Sequence, residues 1–541
     1  MWSQLPSLRI ASVSHASKPK YDIRRIGRNG TYVRAANRVR YTWLHLPIEA
    51  NSPRHRHGPL LFKLVVISFF STTVLILYSF AFPADSYRLR SDVAHFFSGN
   101  GRARGSCSPE AWSNGYWGHK DPMTNITVMV EANDALKFAG FEGCASDREY
   151  FWHLGADHPE HWDRFPEISS YEWVSGGGCN NFQAFDKDTV VRDMVENGGW
   201  LLIGDSVTEN HFFSLSCLLS PHVRATPNYT ENPWFERDWF QHLYLSPASP
   251  LVDSIHLPSG FDIATTPLVT FRRVDLLLSG EQLTNLYRKL YQPSADFPLF
   301  SDELYWTLPP SDYLSVFQKP LPEGNYGTLI VNTAGHWSTN LLAGFLADTM
   351  PENHLGMAGV LQFFEKAMTL WADQIQAILS LDKGTAGGRS RQVIVRSYNP
   401  GHEKCHDKWG SYYHLIPGPF KQHWSNWEYI EEFNRIFQEV TSSRKYPDIH
   451  FLSIERPGDL RPDAHTEGDC LHVVSGTGVI EGWSEYIWHY ITQEISGTFF
   501  SVNRKAMAIH EPGCKSIRLL VANARLKLIP KWCLNLVATA V

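Results

Sequence analysis

Trp200-Leu-Leu-Ile-Gly-Asp-Ser-Val-Thr-Glu-Asn210 holds a strand, a turn and a helix start in eleven residues. Trp200 to Ile203 is an unbroken apolar run, the signature of a strand buried on both faces. Gly204-Asp205 interrupts it, and a helical pattern extends from Val207 to Leu219. Ser206 therefore sits on the turn between a strand's C-terminal end and a helix N-terminus. Backbone N–H groups and the helix dipole stabilise developing negative charge at such a place.

Far downstream, Asp469-Cys-Leu-His472 sets a carboxylate and an imidazole three residues apart, close enough for the aspartate to orient the histidine. Nucleophile, orienter and base are the parts that acyl transfer through a serine ester needs. Asn332, just past the strand-like run Thr328–Val331, is the expected side-chain donor of an oxyanion hole, with the Ser206 backbone N–H as its companion. The bland reading of Asn332 is a turn-forming residue. His336 and Trp337 fit a sugar-binding cleft or core packing equally well.

The same alternation recurs along the chain. Thr328–Val331, Gln392–Arg396 and Ile449–Ile454 read as further strands, and Ala358–Leu381, Trp427–Thr441 and Trp483–Ile495 as helices. The expected fold class is α/β, a parallel sheet flanked by helices with functional loops at the strands' C-terminal ends. Residues 230–325, rich in Pro and aromatics, give no clear pattern.

At 541 residues, 43% hydrophobic and with 19 tryptophans, the chain can bury a large core. Its charge is divided. Residues 1–63 carry twelve Lys/Arg against two acids, while the rest carries 37 against 53. Between the parts, Leu64–Phe82 is free of charge and about long enough to span a bilayer. The basic flank predicts a cytosolic N-terminus and a lumenal C-terminal body. Residues 1–63 form the basic, disordered cytosolic tail, 64–82 the anchor, 83–105 a stem, 106–497 the folded domain and 498–541 a tail outside the core pattern. All eight cysteines follow the anchor, as do the sequons at Asn125 and Asn228, so disulfides and glycans belong to that side. Asn29-Gly-Thr has the same pattern but should be silent in the cytosol. No nucleic-acid partner is expected.

Two competing motifs carry less. His402-Glu-Lys-Cys-His406 matches the zinc-protease pattern, but Pro400-Gly401 and Gly410 leave too little room for the helix it needs, and no metal site is assigned. Asp186-Lys-Asp188, the form of a glycosyltransferase metal motif, precedes a helical pattern and reads as a helix-capping pair.

Four blocks give the chain a family resemblance: Tyr171-Glu-Trp173 through Cys179, Phe182 and Phe185 into Leu202–Asn210 and Ser214–Leu219; Val331–Trp337; Val395–His402; and Arg461–His465 followed by Asp469–His472. Over about residues 105–497 they resemble the trichome-birefringence-like / PC-esterase family of SGNH-fold, Golgi-anchored polysaccharide O-acetyltransferases, in its fungal branch. The resemblance implies an SGNH-hydrolase-like sheet, with Ser206 as nucleophile, His472 as base, Asp469 as orienter and Asn332 in the oxyanion hole. It further implies substrate contacts at Arg396 and His402, and disulfides Cys405–Cys470, Cys107–Cys179 and Cys144–Cys217. The implied activity is transfer of an acetyl group, through an acyl-serine, to a polysaccharide or glycan hydroxyl. No cofactor is held tightly; an acetyl donor is required, delivered by a multispanning membrane partner in one version. An esterase of the same fold is the alternative, and a glycan-binding protein without catalysis the third reading. Glu209, Val473 and Ser475-Gly-Thr-Gly478 depart from the plant members, which carry Arg, Trp and Leu-Pro-Gly there.

Overall fold

The computed structural model describes residues 107–226, 239–293, 298–346, 354–382, 390–413, 426–466 and 468–495. All belong to the second of two units into which the chain divides, residues 99–541. The expected tail, anchor (Leu64–Phe82), stem and C-terminal tail lie outside the described residues, as do Asn29, Asn228, Cys514 and Cys533. Among the described residues no helix is long and apolar enough to cross a membrane.

A small antiparallel pair, β1 (Tyr116–His119) and β2 (Tyr171–Val174), stands apart from the main sheet. The main sheet comprises β3 (Gly199–Gly204), β4 (Val223–Thr226), β5 (Gln241–Leu245), β6 (Pro267–Arg273), β7 (Tyr326–Val331), β8 (Gln392–Arg396) and β9 (Ile449–Leu452). Its order is β4-β5-β6-β3-β7-β8-β9. From β6 to β9 neighbouring strands are parallel; β5 and β4 close one edge antiparallel. Trp200, Leu201, Leu202 and Ile203 are each at most 1% exposed, because the central strand has helices over both faces. The antiparallel strand β5, second from the edge, alternates buried and half-buried residues instead.

Seven longer helices matter here: α1 (Lys187–Asn197), α2 (Ser206–Leu218), α3 (Gly280–Tyr291), α4 (Pro310–Phe317), α5 (Gly356–Leu379), α6 (Ile430–Thr441) and α7 (Val479–His489). The α5–α6 seam is aromatic: Phe364 meets Phe433 edge-on at 4.8 Å, and Trp371 meets Phe437 at 5.3 Å. Such pairs add to the area they bury. The helix expected at 483–495 begins at Val479 and ends in a π-helical turn, Tyr490–Ile495.

From β3 the chain passes to β4, β5 and β6 on one side, then crosses to β7, β8 and β9 on the other. The crevice outside the C-terminal ends of β6, β3 and β7 is therefore the topological switch point, where open α/β sheets bind ligands.

Candidate active site

Ser206 is the first residue of α2, directly behind β3. Asp205 caps the helix, its Oδ1 accepting the Val207 N–H at 3.0 Å. Gly204 allows the tight turn: a Cβ there would lie 2.2 Å from Thr208 Oγ1 and 2.7 Å from the Asn332 carbonyl oxygen. Asp205 is wholly buried, so its charge needs company. Arg396 and Tyr398 provide it electrostatically. Burial pushes the Arg396 guanidinium down to about 10 while the Asp205 charge opposes that shift. Burial and the same aspartate push the Tyr398 hydroxyl well up.

Asp469 and His472 form one local unit. Asp469 Oδ2 and His472 Nδ1 are 2.6 Å apart, and Asp469 Oδ1 accepts the backbone N–H groups of Leu471 (2.9 Å) and His472 (2.8 Å). Burial works to raise the Asp469 carboxyl, but these hydrogen bonds outweigh it and hold the group below its ordinary range. His472 Nε2 is buried and carries no hydrogen bond among the described residues. Trp152 meets the imidazole edge-on at 5.2 Å. The loop is fastened on several sides. Val473 N–H donates to Asn210 Oδ1 on α2 (2.9 Å), Ser475 N–H to the His153 carbonyl (2.8 Å), and Glu481 accepts the Gly476 and Gly478 N–H groups.

Ser206, Asp469 and His472 line one cavity of about 740 Å³. Trp152, Trp306, Arg273 and Glu209 share its wall. The Glu209 departure is locally compensated: buried Arg148 pairs with it at 2.8 Å, and Gln241 Nε2 donates to it at 2.6 Å.

The other expected contacts lie elsewhere. Asn332 does not line this cavity; its Nδ2 donates to the Arg396 carbonyl at 2.8 Å, tying the ends of β7 and β8 together. Trp337 is 0% exposed, donates to Thr333 Oγ1 and packs on Phe364, so core packing is the correct member of its two readings. Arg396 is buried with its guanidinium 4.0 Å above the Trp483 ring, a counter-charge behind the turn and not a group facing substrate. His402 is buried with Nδ1 2.7 Å from His465 Nε2 and Nε2 2.9 Å from the Asp459 carbonyl. His336 is the exception, keeping 29% side-chain exposure beside Arg273.

Among the described residues three disulfides are present, Cys107–Cys179, Cys144–Cys217 and Cys405–Cys470. The third occupies both thiols of the Cys405, His406, Cys470 cluster, whose donors would otherwise be close enough for a metal ion. His402 to His406 includes only a short 3₁₀ turn, Cys405–Asp407, and not the helix a zinc protease requires. Asp186 caps α1, accepting from Thr189 N–H, while Asp188 bonds His222 Nε2 at 2.9 Å. Asn125 is exposed.

Arg273, Trp152, Trp306 and Asn210 were not assigned from sequence. Asn210 alone had a local signal, as the last residue of the Gly-Asp-Ser block, whereas the others reach the cavity through topology. No protein-family model matches the chain, and no curated protein sequence matches it significantly.

Proposed function

We propose that the chain is a serine-dependent O-acetyltransferase acting on polysaccharide or glycan hydroxyls. One observation carries the reading: a serine at a helix N-terminus and an Asp–His pair, distant in sequence, face one cavity at the sheet's switch point.

In this mechanism His472 Nε2 takes the Ser206 hydroxyl proton as Oγ attacks the carbonyl carbon of an acetyl donor. Asp469, charged and bound to Nδ1, holds the ring and stabilises the imidazolium that forms. The oxyanion develops toward the N-terminus of α2 and the Ser206 N–H. Collapse breaks the bond to the donor's leaving group, which receives the proton from His472. An acceptor hydroxyl then gives its proton to His472, attacks the acetyl-serine and leaves as the ester, and Ser206 recovers its proton. Water in place of the sugar gives hydrolysis with the same groups.

Three disulfides in the folded domain support an oxidising compartment. With the charge-free Leu64–Phe82 segment, they favour a lumenal domain on a Golgi type II anchor. The test uses the full-length protein and Ser206→Ala, each given an acetyl ester with and without neutral and acidic oligosaccharides. Mass spectrometry should find sugars heavier by one acetyl group with the wild type alone. Serine-dependent acetate release indifferent to every sugar would make the protein an esterase, and equal turnover by Ser206→Ala would sink both.

A further inference from the structure

β6 lies beside β3 with Arg273 in register with Gly204, so this arginine leaves the sheet two residues from the level of Ser206 on the adjacent strand. It lines the Ser206 cavity and is the one lysine or arginine among the described residues that do so. Hiding a guanidinium at 7% exposure is costly unless it is paired and covered. Here Nε donates to Asp275 Oδ1 at 2.9 Å, and the group stacks 4.0 Å from the Trp306 ring centre. Asp275 is itself fixed, its Oδ2 accepting the Trp306 N–H at 2.9 Å. His336 Nε2 stands 3.4 Å from Nη2. Ring and carboxylate together lock the plane of the guanidinium while engaging its Nε side, and His336 takes one Nη2 hydrogen, which leaves Nη1 and the other Nη2 hydrogen for a further partner. A locked, planar fork is the geometry that recognises a carboxylate in two parallel hydrogen bonds.

We infer that Arg273 selects acetyl acceptors bearing a carboxylate, that is, sugars of the uronic-acid class, and places them beside Ser206. The inference rests on the acyl-transfer reading of the site. Among the cavity acids, Glu209 is engaged by Arg148, Asp469 by His472 and Asp157 by His158 at 3.7 Å. Glu149 and Asp157 face the same space, so a general positive field is not the source of selection. Selection comes from the fixed fork, and the neighbouring acids disfavour any carboxylate that fails to reach it.

The experiment separates binding from catalysis. Full-length Ser206→Ala is titrated calorimetrically with a uronic-acid-containing oligosaccharide and with the same oligosaccharide after carboxyl reduction. The acidic form should bind about tenfold more tightly, the scale of one charge-assisted, bidentate contact. Adding Arg273→Gln should erase the ratio, and Arg273→Lys, which keeps charge without the fork, should retain only part of it. Equal binding of the two sugars by Ser206→Ala overturns the inference without needing any Arg273 variant to fold. So does an Arg273→Gln protein that weakens both sugars alike. Acetyl transfer by the wild type is measured in parallel: if it does not depend on Ser206, the acyl-transfer reading fails, while the binding ratio still judges Arg273.

Discussion

At the residue scale, the hydrogen bond between Asp469 and His472 makes a sharper prediction than the serine itself. Asparagine at 469 can still accept from a backbone N–H, but it offers no charge to an imidazolium and permits the wrong tautomer. Asp469→Asn should lower kcat by about 10³-fold or more with the fold intact, read from steady-state kinetics beside a thermal melt. Asn332 separates the two readings of its side chain. Its amide spans two strand ends through the Arg396 carbonyl, so Asn332→Ala should cost about 1–3 kcal/mol of stability by orphaning that buried oxygen. Its loss of kcat at temperatures where it stays folded should fall well short of the roughly 10²-fold or greater loss of an oxyanion donor. A full-sized kcat loss with unchanged stability would restore Asn332 to the oxyanion hole. The triad candidates were legible because each announces itself locally, a serine on a strand–helix turn and an acid three residues before a histidine. Trp337 was not, since an indole beside a histidine reads alike in a cleft and in a core.

At the element scale, β3, β7 and β8 were readable because parallel strands covered on both faces need unbroken apolar runs, and the edge strand β9 because Ile449, Phe451 and Leu452 still cluster there. β6 evaded the same test. It begins at Pro267 and ends in Arg272-Arg273, so its buried positions are interrupted by a residue lacking an N–H and by two charges. Arg273, which lines the cavity, thus lay in the segment least open to periodicity. α7 offers an element-level prediction. Its Glu481 holds the loop that follows His472 through Gly476 and Gly478, and Glu485, one turn on, is pushed up to about 7, first by burial and then by the Glu481 charge, with Lys120 opposing. In the unfolded chain the group ionises near 4.5. Between these values the unfolded state releases a proton that the folded state keeps, so this contribution is full below pH 4.5 and lost as pH rises to 7. Its span is about 3 kcal/mol at most. Glu485→Gln, which mimics the protonated group, should match the wild type at low pH and exceed it in chemical unfolding at pH 7.5. A gap between the two proteins that does not change with pH would refute the assignment.

At the scale of the whole molecule, the Asp469–His472 loop, which follows the last strand of the sheet, must be held against a helix that starts at the sheet's centre. The sheet alone does not do this: β9 ends at Leu452, and the chain runs on through short turns before reaching Asp469. The hold comes from Asn210, His153 and Glu481 on separate segments and from the Cys405–Cys470 disulfide, which fastens the loop to the segment following β8. Cys470 stands between Asp469 and His472, and its carbonyl accepts the His402 N–H at 2.8 Å, so the cross-link acts on the backbone that carries both groups. Closing a 65-residue separation removes unfolded-state entropy worth about 4 kcal/mol before any native strain is counted. The paired variant Cys405→Ser/Cys470→Ser should therefore melt at a lower temperature. Below that melt it should also lose kcat, because the loop that aims His472 gains freedom while the Asp469–His472 contact, being local, survives. Serine-dependent turnover should fall with little change in KM for the donor. A variant that melts earlier yet turns over at the wild-type rate in the cold would confine the disulfide to stability and leave the aim of His472 to Asn210 and Glu481.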